Sequence, residues 1–148
     1  MKVLNNKEIK ELLGSIPNFD FSKKDKFETE NDVIFVNHKP MFFYHENRIA
    51  PTLKLLLQNN FLKKITVDMG AVRFVANGAD IMRPGIKNIE SGITKDEIIS
   101  IVDENHSKPL AVGIALFPRE EMQLMTSGKV IKNIHWVGDK IWSLNTLS

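Results

Sequence analysis

The sequence predicts an α+β chain, with a small N-terminal α/β domain over residues 1–64 and a mostly β, barrel-like domain over residues 65–148. Three observations lead there. A length of 148 residues suits one domain, or two very small ones sharing a core. The texture changes after Lys63-Lys64: helix-period stripes come before it, and short β-branched runs separated by glycine turns come after. The 43% hydrophobic and 26% charged fractions match folded chains, and no apolar run approaches the ~20 residues of a membrane helix.

Asn5 or Asn6 caps a first helix to about Leu13, with Ile9, Leu12 and Leu13 as its apolar stripe. Gly14 ends it and Pro17 follows. Lysines alternate with Phe19, Phe21 and Phe27, which predicts a loop and a strand near Phe27. The runs Val33 to Asn37 and Met41 to His45 read as a hairpin turning at His38-Lys39-Pro40. Asn47 to Pro51 breaks the strand pattern, and Pro51 suits the first turn of a helix buried through Leu53, Leu56 and Leu57.

Ile65 to Val67 is a strand, and Asp68 caps a short helix over Ala71 to Ala76 with Phe74 and Val75 facing inward. Asn77-Gly78 stops that helix, Asp80 to Arg83 returns as a strand, and Pro84-Gly85 reads as a type II turn. Ile98 to Val102 and Leu110 to Phe117 are strands, and a helix starts at Pro118 and ends near Gly128. Lys129 to Val137 and Lys140 to Ser143 read as closing strands joined by Gly138-Asp139.

Composition excludes several functions. There is no cysteine, hence no disulfide, thiol nucleophile or thiolate-bound metal. His38, His45, His106 and His135 are never four residues apart, so no helical metal pair exists and no metal or other cofactor is expected. Phosphate-loop, dinucleotide-binding and nucleophile-elbow motifs are missing, and no nucleophile, base and orienting group assemble, so the chain reads as a non-enzyme. Residues 1–16 carry lysine and glutamate throughout without an apolar stretch, the pattern of a cytoplasmic chain with no leader and no membrane partner. The net charge is +2, with eleven basic and eight acidic residues up to Lys64 and nine basic and ten acidic after it. Binding to nucleic acid by bulk charge is therefore not expected; any phosphate contact depends on a few placed cations.

The strongest local signal runs from Val67 to Ile86, VDMGAVRFVANGADIMRPGI. Gly70 and Ala71 strip the helix start of bulk, where exposed amides could bond an anionic oxygen. Gly78 and Ala79 clear a second spot, and Arg73 and Arg83 flank both. Tight turns in a small barrel would account for the same glycines.

The ordered set Asp68, Gly70-Ala71, Gly78-Ala79 and Pro84-Gly85-Ile86, then Ala111-Val112-Gly113, Gly128 with Val130, and His135, Gly138-Asp139 and Trp142, resembles the PUA domain, an RNA-binding module. Phe42-Phe43-Tyr44 and Ile49 to Leu56, with their spacing to Val67-Asp68, resemble the pre-PUA segment of the malignant-T-cell-amplified-sequence family and its archaeal relatives. The resemblance implies a PUA pseudo-barrel packed on a pre-PUA domain, in a non-catalytic, RNA-binding protein of the translation apparatus. Its implied partners are structured RNA, tRNA or rRNA, and the small ribosomal subunit with a separate translation-factor partner. Carried onto this chain, the RNA surface comprises Gly70, Ala71, Arg73, Gly78, Ala79, Arg83, Pro84 and Gly85; charge adds Lys87, Phe74 counts as core, and Trp142 closes the core. Two other readings stand beside it: an accessory RNA-targeting subunit of a pseudouridine- or archaeosine-type modification system, and a PUA fold serving a protein partner only.

Overall fold

A computed structural model describes residues 2–14 and 21–144, except for the side chain of Leu13. Pro17, Phe19 and the Leu13 side chain lie outside the described residues. Helix α1 spans Asn6–Gly14. The Glu8 N–H donates to Asn5 Oδ1 at 2.9 Å and the Asn5 N–H to Glu8 Oε1 at 3.3 Å, a reciprocal cap that settles the start on Asn5.

The first half is an antiparallel sheet in sequence order: β1 (Lys2–Val3), β2 (Phe27–Glu30), β3 (Val33–Val36), β4 (Lys39–His45) and β5 (Arg48–Pro51). Two-residue turns join β2 through β5, and both residues of each have positive φ: Asn31-Asp32 at 51° and 64°, Asn37-His38 at 52° and 68°, Glu46-Asn47 at 48° and 65°. This mirror-image turn geometry follows the twist of the strands, and Asn and Asp tolerate it best after glycine. The segment expected to break after His45 is thus the edge strand β5. Pro51, expected to open a helix, closes that strand opposite Phe42, and an edge position tolerates its missing N–H.

Helix α2 (Leu53–Gln58) begins one residue after Thr52, whose hydroxyl accepts the Leu55 N–H at 3.3 Å and donates to Pro40 O at 3.0 Å. Its buried residues are Leu53, Leu55 and Leu56; Leu57, expected inside, is exposed. The helix is buried on two sides, which a single stripe does not anticipate. Leu55 joins Leu12, Phe27, Ile34 and Phe42 in the core of the first half. Leu53 and Leu56 join Val33, Phe35, Phe43 and Val112 in a second core shared between the halves.

The second half is a six-stranded sheet in the order β7-β11-β10-β9-β6-β8. Its strands are β6 (Lys64–Val67), β7 (Ile81–Met82), β8 (Ile86–Ile89), β9 (Ile98–Asp103), β10 (Pro109–Ala115) and β11 (Lys129–Trp136). Among the described strands, β6 and β9 pair in parallel and the rest antiparallel. Helices α3 (Met69–Val75) and α4 (Arg119–Leu124) cover a core that includes Ile65, Val75, Ile99, Ile101, Met122 and Ile131. Together they form a mostly β pseudo-barrel. Gly113 sits at a register shift between β10 and β11, where a Cβ would lie 2.6 Å from Ile131 Cγ2 and 2.9 Å from Lys132 O.

The expected closing strand over Lys140 to Ser143 does not form. Asp139 holds the chain in a turn instead: its Oδ1 accepts the Trp142 N–H at 2.8 Å and its Oδ2 the Trp136 N–H at 3.0 Å. The turn lays Val137, Ile141, Trp142 and Leu144 against the shared core, so Trp142 does help to close a core, the one between the halves. Lys54 Nζ lies 5.5 Å from the Trp142 ring centroid. His135, fully buried, joins the halves: its Nε2 accepts the Leu53 N–H and its Nδ1 faces Asp139 Oδ2 at 2.7 Å.

Candidate nucleic-acid interface

The segment singled out in the sequence folds around a cleft of about 430 Å³ on the second half. Asp68 starts α3 from extended backbone (φ −72°, ψ 163°), its Oδ1 accepting the Ala71 N–H at 2.8 Å. Gly78 stops α3 at φ +89°. The N–H groups of Gly78 and Ala79 turn back to Val75 O and Phe74 O, both at 3.0 Å, satisfying the last carbonyls of the helix. No side chain fits at Gly78, since a Cβ would lie 2.7 Å from the Trp136 ring.

The opposite wall is β7 and a 3-10 turn over Arg83–Gly85. This turn replaces the expected type II turn, and Gly85 lacks positive φ. Its role is close approach: a Cβ there would stand 3.2 Å from Ala71 Cβ, and the Asp68 N–H donates to Gly85 O at 2.9 Å across the same seam. Strand β11 braces the rear, where Asn133 Nδ2 donates to Val75 O at 3.2 Å and Ala79 O at 3.0 Å, and its N–H to Asp80 Oδ1 at 2.9 Å.

Of the residues expected at the RNA surface, Gly70, Ala71, Ala79, Pro84 and Gly85 line this one cleft. Gly78 lies behind it against Trp136. Arg73 is exposed on α3, its guanidinium carbon 4.9 Å from the Phe74 ring centroid. Lys87 is exposed on β8, outside the lining. Arg83 turns away: its Nε donates to Met122 O at 2.6 Å and its Nη1 to Ile86 O at 3.3 Å, so two of its donors tie α4 to β8.

Phe74, expected in the core, is 54% exposed and lines the cleft. Val75, one position on, takes the core position, and neighbours on a helix cannot both face inward. Met82, at 51% exposure, is a second apolar surface that sequence did not single out. Two of the amides at the start of α3 are already taken by carboxylates. Asp68 takes the Ala71 N–H, and Glu104, from the β9–β10 turn, takes the Met69 N–H at 3.2 Å. Among the described residues, the charged groups lining the cleft are Asp68 and Asp80, both acidic.

Residues 63–137 match the PUA domain family, and residues 2–59 match a domain of unknown function, DUF1947. The chain is 42% identical over 136 residues to an uncharacterised protein of Methanocaldococcus jannaschii, covering 91% of this chain and 82% of that one. It is 30% identical over 152 residues to Malignant T-cell-amplified sequence 1 of Danio rerio, covering 92% and 84%. It is 31% identical over 127 residues to Translation machinery-associated protein 20 of Saccharomyces cerevisiae, covering 81% and 70%. A solved structure of a hypothetical protein from Pyrococcus horikoshii superposes with a TM-score of 0.84 at 32% identity, over 97% of this chain and 98% of that one. With the pseudo-barrel, its cleft and both matched regions in place, the chain belongs to the PUA-domain family, in the branch that pairs a DUF1947 pre-PUA region with the RNA-binding PUA module.

Proposed function

We propose that this chain is a non-catalytic RNA-binding protein of the translation apparatus, docking tRNA or small-subunit rRNA through the cleft between α3 and the Arg83–Gly85 turn. One observation carries the reading: Phe74 stands exposed beside a small-residue cleft with Arg73 against its ring. An exposed aromatic paired with a guanidinium costs solvation in an isolated domain and gains when a base stacks on it. The similarity to a relative named Translation machinery-associated protein 20 supports the translation part of this reading, to which the small ribosomal subunit and a separate translation-factor partner belong as proposed partners.

The near-neutral charge fits recognition led by shape and stacking rather than by many phosphates. The test is a titration of the purified protein with tRNA and with end-trimmed tRNA. The reading expects a Kd below about 100 μM at low salt and co-sedimentation with small ribosomal subunits. No RNA binding under these conditions overturns it and leaves the protein-partner reading.

A further inference from the structure

Building on the RNA reading above, we infer that the cleft takes an unstacked, amino-bearing base, with Asp68 accepting its exocyclic amine, while the RNA phosphates stay outside. The electrostatics exclude phosphate from the interior. Both charged lining residues are carboxylates, and Asp68 and Glu104 take the Ala71 and Met69 amides at the start of α3. A phosphate placed inside would meet two carboxylates, only one of which has a cation beside it, Lys129 at Asp80, so like charges oppose its entry. Arg73, exposed beside the Phe74 ring, is the cation offered to the backbone.

What remains of a nucleotide is its base and ribose. Phe74, Val75, Ile81, Met82 and Pro84 offer apolar walls, and Phe74 with Arg73 makes a stacking platform. The two carboxylates decide which base. Asp80 is engaged, with Oδ1 accepting the Asn133 N–H and Oδ2 accepting Lys129 Nζ at 3.4 Å. Asp68 spends only Oδ1 on its cap; its Oδ2 has no donor among the described residues. A carboxylate oxygen accepts and does not donate. It therefore favours an amine over a carbonyl at the same ring position, and cytosine against uracil is the comparison of equal size and charge.

The experiment measures binding of labelled oligo(C) and oligo(U) of one length at one salt concentration. The wild type is expected to favour oligo(C) roughly tenfold. Asp68→Asn keeps an N-cap oxygen and turns a donor amide toward the cleft, so the preference should vanish or invert with the melting temperature nearly unchanged. Asp68→Ser, which keeps the cap and offers no amide, should remove the preference without inverting it. Equal affinity of the wild type for both oligomers, or an unaltered preference in both variants, overturns the inference. Binding of tRNA without any binding of either oligomer also overturns it and leaves the RNA reading standing. Failure to bind tRNA as well removes that reading.

Discussion

His135 Nε2 accepts the backbone N–H of Leu53 at 3.1 Å, so the last strand of the pseudo-barrel caps the first turn of a helix in the other half. The ring is held on its other side, where Nδ1 donates to Asp139 Oδ2 at 2.7 Å, which fixes the tautomer, and the Phe43 ring meets it edge-on at 5.2 Å. Histidine has both a donor and an acceptor at the required separation. His135→Phe fills the space but leaves the Leu53 N–H and a buried carboxylate oxygen short of a partner. The expected loss is about 2–4 kcal/mol of unfolding free energy, read as a lower urea midpoint. A variant as stable as wild type would make this bridge incidental.

The bridge also gives the fold an acid limit. Burial opposes the charged form of Asp139, but the donors from His135 and from the Trp142 and Trp136 amides outweigh it and hold the carboxyl below its ordinary 3.8. A carboxyl depressed in the folded state adds stability that is complete above its unfolded value and is lost as pH falls through the folded value. Asp103 behaves alike: burial opposes its charge, and the amides of His106, Lys108 and Asn105 prevail. Stability should therefore fall steeply below about pH 4. Asp139→Asn should be less stable than wild type at neutral pH and show a shallower loss in acid. Urea midpoints across pH 2–7 measure both, and parallel curves for the two proteins would remove Asp139 as a cause.

Glycine positions along the cleft are not equivalent. At Gly78, φ is +89° and a Cβ would enter the Trp136 ring at 2.7 Å, so Gly78→Ala meets backbone strain and overlap together. A loss of about 2–4 kcal/mol is expected, with a shift in Trp136 fluorescence. At Gly70, in α3, the nearest atom to a Cβ is Asp68 Oδ1 at 3.3 Å, and Gly70→Ala should leave stability within about 1 kcal/mol of wild type. Equal melting temperatures for the two variants would contradict this ranking.

Legibility from sequence followed the range of the interaction. Asp68 as cap, Gly78 as stop and Asn5 as the start of α1 are fixed by neighbours within four residues, and all three were readable. Strand β5 hid behind Glu46-Asn47 because a mirror-image turn without glycine resembles a break. Leu57 and Leu55 exchanged places because α2 is buried by two cores, one of them completed by residues of the other half, such as Val112. Phe74 was indistinguishable from a core residue by spacing, although an aromatic next to an arginine on an otherwise small-residue segment was a usable hint of an exposed platform. Nothing local signals that Arg83 bonds Met122 O, which lies 39 residues on.

The two arginines of the segment separate binding from folding. Arg73 is exposed, lies against the Phe74 ring and makes no side-chain hydrogen bond or ion pair among the described residues, so Arg73→Glu should weaken RNA binding about tenfold and lower the salt slope by about one. Its melting temperature should stay near wild type, because exposed single charges contribute little to stability. Arg83 spends donors on Met122 O and Ile86 O, so Arg83→Glu breaks both bonds and sets a carboxylate against two carbonyls. About 1–3 kcal/mol of stability should go with them, and RNA affinity should drop only as far as the folded fraction does. The pair is measured by melting curves alongside anisotropy titrations at several salt concentrations. Unchanged RNA binding in Arg73→Glu would take Arg73 out of the interface. A stable Arg83→Glu with lost RNA affinity would put Arg83 into it.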